Sequence, residues 1–209
     1  SYAVLIAAGV VPSLIWLFYY LRKDCHPEPR AMIAKTFLMG IIISPLAIIF
    51  QLIFVKLAES GFSIGIGLPE IASRGALFFL WAAFVEESVK FFAVRIIDLY
   101  DPEFDEPVDA MVYMITAGLG FAAMENIITL FRVLPDGSHA VASVWILRFA
   151  GATLLHALSS AIMGYFVALS WFFNHHARKL IASGLVIATL FHFSFNTVLS
   201  LFKDGMGNP

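Results

Sequence analysis

Charged residues are scarce in this sequence. Only 13% of its 209 residues are Asp, Glu, Lys or Arg, about half the share found in soluble proteins. Hydrophobic residues make up 60% of the chain. This composition excludes an ordinary soluble domain and predicts an integral membrane protein surrounded by the lipid bilayer. The net charge of -2 gives no information about nucleic acid, and the partner expected from the composition is the lipid bilayer rather than nucleic acid.

Cysteine is almost absent as well. The single Cys25 excludes an internal disulfide and the paired thiols of a structural zinc site. A basic segment is also missing before the first apolar run, which begins directly after Ser1. We therefore expect that run to be a retained helix rather than a signal peptide.

Long apolar runs dominate what is present. A membrane helix needs about 20 apolar residues, and six runs meet this length. The sequence thus predicts an all-α, polytopic transmembrane bundle of about six helices, or seven or eight with short interfacial pieces, in one domain spanning residues 1–209. The predicted spans are residues 4–21, 32–57, 75–97, 108–131, 140–173 and 180–202.

The fifth run is too long for one simple span. Trp145 and Arg148 are residues that anchor at lipid headgroups, so residues 144–148 are expected to form an interfacial turn or a tilted extension. The acidic segment 98–106 is interpreted as a solvated loop. Lys and Arg are slightly enriched in the first, third and fifth connections, which places both termini outside the cytoplasm.

Polar residues interrupt four of the apolar runs. A charged residue at the centre of a membrane helix costs roughly 3 kcal/mol, whereas a Leu returns only about 0.5. Such residues must therefore be sheltered by neighbouring helices, and they are the best candidates for function. They are Glu86, Glu87 and Lys90 in the third run, Glu125 and Asn126 in the fourth, His156 in the fifth, and His192 and Asn196 in the sixth.

Helical spacing predicts that these residues share one buried chamber. Glu86 and Lys90 are four positions apart, as are His192 and Asn196, so each pair lies on one face of its helix. Adjacent carboxylates in a low dielectric suit a general base beside a hydrogen-bond donor. The histidines would complement them by transferring protons, stabilising an oxyanion or binding a metal.

The residues alone leave the need for a metal open. A zinc ion bound by His156, His192 and one glutamate would have an ordinary ligand set. Alternatively, a glutamate activates water without a metal, and His192 with Asn196 stabilises the oxyanion. The His-Glu-x-x-His zinc-protease motif is absent. Gly61, Ser63 and Gly65 match the nucleophile-elbow spacing, but they lack its strand-turn-helix context.

The ordered series of polar motifs resembles the PrsW family of intramembrane proteases. The resemblance extends from about Tyr20 to Asn196. A related group, the CAAX prenyl endopeptidases and Abi proteins, has histidine where this chain has Glu125. The motifs are Glu86-Glu87-Ser88-Val89-Lys90, residues 105–109 (DEPVD), residues 118–126 ending in Glu125-Asn126, residues 156–160 (HALSS) and residues 192–196 (HFSFN).

This resemblance implies an endopeptidase that cleaves a membrane-anchored protein, with anti-sigma factors as a known substrate class, in a multi-pass protein of a prokaryotic cell membrane. It makes Glu86, Glu87, His156 and His192 the catalytic candidates. Lys90, Glu125, Asn126 and Asn196 would support them or line an oxyanion site. If a metal such as zinc is bound, the ligands implied are His156, His192, Glu87 and Glu125.

Two other classes of protein have the same composition. In a proton- or ion-coupled transporter, the buried glutamates and histidines would relay protons, although no inverted repeat is evident. A catalytically silent scaffold would bind a single-span partner through the same groove. Glu86 with Lys90 would then be a structural ion pair, and Asn126 and Asn196 would be hydrogen-bonding links between helices.

Overall fold

The computed structural model describes residues 2–59, 70–99 and 101–206. Within these ranges the chain forms seven α-helices and no β-strand. The glycine-rich segment 61–65, which matches the nucleophile-elbow spacing, lies outside the described residues. The helices are α1 (Tyr2–Leu21), α2 (Arg30–Glu59), α3 (Glu70–Ile97), α4 (Asp109–Val133), α5 (Ser138–Leu147), α6 (Thr153–Phe172) and α7 (Ala177–Met206).

The predicted membrane bundle is confirmed, with helix ends within a few residues of the predicted ones. Five helical stretches are long and apolar enough to cross a bilayer, and one of them comprises α5 and α6 together. Helix α3 is the sixth. It falls outside that group because of its charges, among them Glu86, Glu87 and Lys90. The helix that is least suited to lipid by composition is thus the one that carries most of the polar cluster.

The fifth run continues as helix instead of forming a turn. Helices α5 and α6 are joined by a π-helical turn, Arg148–Ala152, so that Ser138–Phe172 is one unbroken stretch. Trp145 packs inward and donates a hydrogen bond of 2.7 Å to the Ala8 carbonyl of α1. That carbonyl is available because Pro12, four residues later, has no N–H to offer it. The proline in α1 thereby fixes the position of α5.

Helix α2 also contains a proline whose effect is compensated locally. Pro45 leaves the Ile41 carbonyl without its usual helical donor. The Ser44 hydroxyl donates to this carbonyl at 3.0 Å, so no backbone acceptor is left bare in the apolar region. The second half of α2, which carries Gln51, therefore stays helical beyond the proline.

Helix α4 lies at the centre of the bundle and contacts α1, α2, α3 and α6. Glycines allow the close approach. A Cβ atom at Gly120 would collide with the Phe37 carbonyl of α2, and one at Gly118 would collide with the Ser160 hydroxyl of α6. Small residues at helix crossings are typical of membrane bundles. They bring α4 and α6 near enough for Glu125 and His156 to touch.

The acidic segment after α3 is only partly solvated, which corrects its interpretation as a loop in water. Asp98 is fully buried, and the Thr36 hydroxyl of α2 donates to its carboxylate at 2.6 Å. Asp109 is buried too, and it accepts the backbone N–H groups of Asp105 and Glu106 at 3.0 and 2.8 Å. These acids fasten the α3–α4 connection to the bundle.

Candidate active site

Four helices bring the predicted polar residues into one chamber, as their spacing predicts. Glu86, Glu87 and Lys90 come from α3 and meet His156 of α6 and His192 of α7. Each is at most 5% exposed. Apolar residues flank Lys90, His156 and His192 on both sides along their helices, so the cluster is a polar island within the hydrophobic interior.

Lys90 is at the hub of this island. Its Nζ atom donates to Glu87 Oε1 at 2.6 Å and lies 3.1 Å from His156 Nδ1. Both side chains of the Glu87–Lys90 ion pair are completely buried. A lone charge at this depth would be prohibitive, whereas a hydrogen-bonded pair is tolerated. The lysine therefore makes a buried carboxylate possible and ties α3 to α6.

Each histidine is held by its own carboxylate. His192 Nδ1 lies 2.7 Å from Glu87 Oε1, and His156 Nε2 lies 2.9 Å from Glu125 Oε2. The two imidazole rings meet edge to face, with centroids 5.1 Å apart. A carboxylate on one ring nitrogen orients the ring and directs the other nitrogen toward its ligand.

Glu86 occupies the open side of His192. Its Oε2 atom is 3.6 Å from His192 Nε2, which is too long for a hydrogen bond. Its Oε1 atom accepts a hydrogen bond of 2.8 Å from Gln51 Nε2 of α2. Sequence reasoning missed Gln51, although a lone amide within the apolar run of α2 is a recognisable signal.

Arg148 does not have the role that the sequence predicts for it. Instead of anchoring at the headgroups, it turns inward, and its Nη2 atom donates to Glu125 Oε2 at 2.9 Å. Its Nε atom donates to the Asn126 side-chain oxygen. The partly buried carboxylate of Glu125 pairs with the guanidinium in a charge-assisted contact, and the π-helical turn that starts at Arg148 lies beside this contact.

The two predicted asparagines differ in their surroundings. The Asn126 amide nitrogen donates to Thr153 Oγ1 at 3.0 Å and to the Gly9 carbonyl at 3.3 Å, so its hydrogen-bonding capacity is used between helices. Asn196 is half-buried, and its side chain makes no hydrogen bond with the described residues. Only Asn196 therefore has an amide free to meet a substrate.

One group of side chains has the donor set of a metal site. Glu86, His156 and His192 are all buried, and one donor atom from each lies within 4.8 Å of the others. Three protein ligands are the usual number at a catalytic zinc. The residues alone predicted the two histidines with one unspecified glutamate, and the family resemblance implied Glu87 and Glu125. In the structure these two glutamates contact the histidines' ring nitrogens.

The hydrogen bonds of His192 are compatible with metal binding as they stand, whereas His156 would have to give up one of its hydrogen bonds. The Glu87 contact on His192 Nδ1 is the carboxylate–histidine pairing that commonly supports a metal ligand. Both ring nitrogens of His156 already have partners, Lys90 and Glu125. A cation at His156 would therefore replace one of these two hydrogen bonds.

Comparison with known proteins identifies the chain. Residues 28–208 match the model of the PrsW family intramembrane metalloproteases. The chain belongs to the PrsW family. The match covers α2 to α7 and every residue of the polar cluster. No solved structure matches the chain.

Curated relatives agree with the family match, and each is named Protease PrsW. The relative from Geobacillus kaustophilus is 32% identical over 97% of this chain and 82% of its own length. Those from Bacillus subtilis and Clostridioides difficile are 29% and 26% identical, over 96% and 92% of this chain and 84% and 78% of their own lengths. This PrsW family member is therefore a multi-pass intramembrane endopeptidase that acts on a protein substrate in a membrane, which replaces the transporter and scaffold hypotheses.

Proposed function

We propose that this PrsW family protease cleaves a membrane-anchored protein of the anti-sigma-factor class. The ordered motif series supports this substrate class, because it is the one associated with bacterial relatives. The burial of the polar cluster supports a substrate that is itself embedded in the bilayer, since a soluble protein would not reach side chains at most 5% exposed. A single membrane-spanning helix with an extended segment beside it would deliver a peptide bond to this depth.

We further propose that Glu86, His156 and His192 hold a divalent metal such as zinc. The observation that carries this proposal is their convergence, buried, with donor atoms within 4.8 Å of one another. A zinc ion bound there would polarise the peptide carbonyl and lower the pKa of an attacking water. The remaining polar residues then position this centre and move protons.

Each supporting residue has a role that follows from its contacts. Glu87 fixes the His192 ring, and Lys90 balances the charge of Glu87. Glu125 is the one site carboxylate with substantial exposure, 30% of its side chain, so we assign it the proton taken from water. Asn196, one turn beyond His192, is assigned to the oxyanion.

The depth of the centre suggests where the bond is cut. Glu125 lies 16 residues after Asp109 and 8 before Val133, about 24 Å and 12 Å along the helix. His192 lies 15 residues after Ala177, about 22 Å. Glu86 lies 16 residues after Glu70 and 11 before Ile97, about 24 Å and 16 Å along the helix in the opposite chain direction to α4. The proposed ligands therefore lie near the middle of the bundle, and we expect the cleaved bond near the middle of the membrane.

Cleavage in proteoliposomes with a tagged single-span substrate tests this function. Both Glu86→Gln and His192→Ala should lower cleavage by about 100-fold or more, because each removes a ligand from the centre. Ser194→Ala is the matched control. Within the described part of the chain, its hydroxyl bonds only the Leu190 carbonyl of the same helix, so this variant should cleave normally.

Zinc content measured on the same samples separates the two chemistries left open by the sequence. Bound zinc that is lost together with activity on chelation supports the metal site. Full activity without bound zinc would overturn it and make Glu86 the water-activating base, since its Oε2 atom has no hydrogen bond with any residue that the structure describes. Normal cleavage by both Glu86→Gln and His192→Ala would overturn the assignment of this site altogether.

A further inference from the structure

The contact between Gln51 and Glu86 joins the active site to a helix that carries none of the polar motifs. Gln51 Nε2 donates to Glu86 Oε1 at 2.8 Å. Among the residues that the structure describes, Gln51 is the only hydrogen-bond donor to the Glu86 carboxylate. The other carboxylate oxygen of Glu86 lies 3.6 Å from His192 Nε2. Helix α2 therefore decides which oxygen of Glu86 is presented to the histidines.

An amide at this position needs a partner. Gln51 is the only Gln or Asn in α2 and lies within the sequence Ile-Ile-Phe-Gln-Leu-Ile-Phe. An unsatisfied amide in an apolar medium costs several kcal/mol, so its hydrogen bond holds the side chain to Glu86. The constraint acts in both directions, because the Glu86 carboxylate then loses the freedom to rotate about its last bond.

A second hydrogen bond between the same helices lies beside the first. Trp81 Nε1 of α3 donates to the Phe50 carbonyl of α2 at 3.2 Å. It joins α2 to α3 one residue away from Gln51, but it involves no atom of the active site. The Trp81–Phe50 hydrogen bond therefore serves only the packing of α2 on α3, whereas the neighbouring Gln51 hydrogen bond reaches Glu86 in the active site.

We propose that Gln51 is a positioning residue for Glu86, holding its carboxylate in the orientation that the metal centre requires. The proposal rests on the proposed function of Glu86 as a ligand. Side chains that hydrogen-bond metal ligands typically contribute about 10- to 100-fold to metal affinity or activity. The amide donor suits this role because it directs an ionised oxygen without adding a charge.

The experiment compares Gln51→Met, Gln51→Glu and Trp81→Phe. Methionine keeps the length of the side chain without its donor, and glutamate places a carboxylate against Glu86. Each purified variant is measured for zinc affinity by chelator competition, for kcat and KM on the tagged substrate, and for thermal unfolding in detergent. Trp81→Phe removes the neighbouring link between α2 and α3 and controls for packing.

Both Gln51 variants should bind zinc about 10- to 100-fold more weakly and lose a similar factor in kcat, with KM unchanged. Trp81→Phe should keep the zinc affinity and kcat of the parent protein. Gln51 variants with the parent zinc affinity and kcat would overturn the proposal, as would Trp81→Phe with the same losses. The Glu86→Gln variant separates failure of the Gln51 proposal from failure of the proposed function. Unaffected Gln51 variants beside an inactive Glu86→Gln would refute only the role of Gln51, whereas a fully active Glu86→Gln would refute the proposed role of Glu86.

Discussion

Acidic residues are buried or partly buried in two regions of this molecule, and their partners differ between the two regions. In the polar cluster, Glu87 is paired with Lys90 and His192 at 2.6 and 2.7 Å. At the end of the bundle where α3 stops, Asp98 and Glu28 have hydroxyl partners instead. Thr36 donates to Asp98 at 2.6 Å, and Tyr113 donates to Glu28.

The consequence is a difference in charge. A carboxylate beside a lysine stays ionised at low cost, because the Coulomb attraction offsets the lost hydration. A hydroxyl group offsets only part of the hydration that a carboxylate loses on burial. Burial raises the pKa of Asp98 to about 7, and burial together with the nearby Asp109 raises the pKa of Glu28 to about 7. The Glu87–Lys90 pair at the centre of the bundle thus keeps its charges, whereas the end of the bundle carries acids that titrate near neutral pH.

Removing the cation at the centre should produce the largest effect. Lys90→Met leaves Glu87 without its cation among completely buried atoms, and breaking such a pair costs about 3–5 kcal/mol. We expect a large drop in the free energy of unfolding and loss of cleavage. Thermal unfolding in detergent and the proteoliposome assay measure the two changes.

Two further variants make the Lys90 result specific. The double variant Glu87→Gln with Lys90→Met should recover stability but not activity, because no unpaired charge is left. Arg95→Met removes an exposed cation from the same helix and should change little. A Lys90→Met protein as stable as the parent would show that the buried ion pair does not hold the cluster together.

The sequence predicts the grouping of the polar cluster better than it predicts the burial of Asp98 at the end of the bundle where α3 stops. Helix number and ends followed from apolar length, and the cluster followed from polar residues at helical spacing, since lipid leaves charged groups few other places to go. The sequence predicts a solvated side chain for Asp98, because a local run of acidic residues is typical of an exposed loop. Its burial depends on Thr36, 62 residues away in the chain, and no local pattern encodes that contact.

Arg148 and Gln51 illustrate the same limit within the site. The lone amide in the apolar run of α2 and the arginine in the fifth run are both recognisable in the sequence, but the partner of each is not. The inward turn of Arg148 depends on Glu125 from α4 and on the π-helical turn. The hydrogen bond of Gln51 depends on how α2 crosses α3. Pairwise contacts between helices are therefore the part that composition and spacing leave out.

An intermediate effect is expected at Asp98. Because its folded-state pKa is about 7 and its usual value is 3.8, the folded protein keeps a proton that the unfolded chain has lost. This term therefore lowers the free energy of unfolding as pH rises from about 4 to about 7. Asp98→Asn should reduce the slope, leaving the part that Glu28 contributes. It should raise stability at pH 8 by about 1 to 2 kcal/mol, less than the full pKa separation because the structure relaxes around a buried charge.

Thermal unfolding of Asp98→Asn and the parent protein from pH 4 to pH 8 measures this difference. Asp136→Asn, a change at an exposed acid in the α4–α5 connection, should leave the slope in place. Parallel curves for Asp98→Asn and the parent would mean that Asp98 is ionised throughout, and the contrast between the two regions would then disappear.

The smallest expected effect is at Tyr113. Its hydroxyl donates to Glu28 and lowers the pKa of that carboxyl against the stronger effect of burial. Tyr113→Phe should cost about 1 kcal/mol of stability and move the titration of Glu28 to higher pH. The exposed Tyr165 provides the control Tyr165→Phe. If Tyr113→Phe left the pH dependence of unfolding unchanged, the Glu28 carboxyl would owe its elevated pKa to burial and Asp109 alone, and the hydroxyl would act only as a packing contact between α4 and the α1–α2 connection.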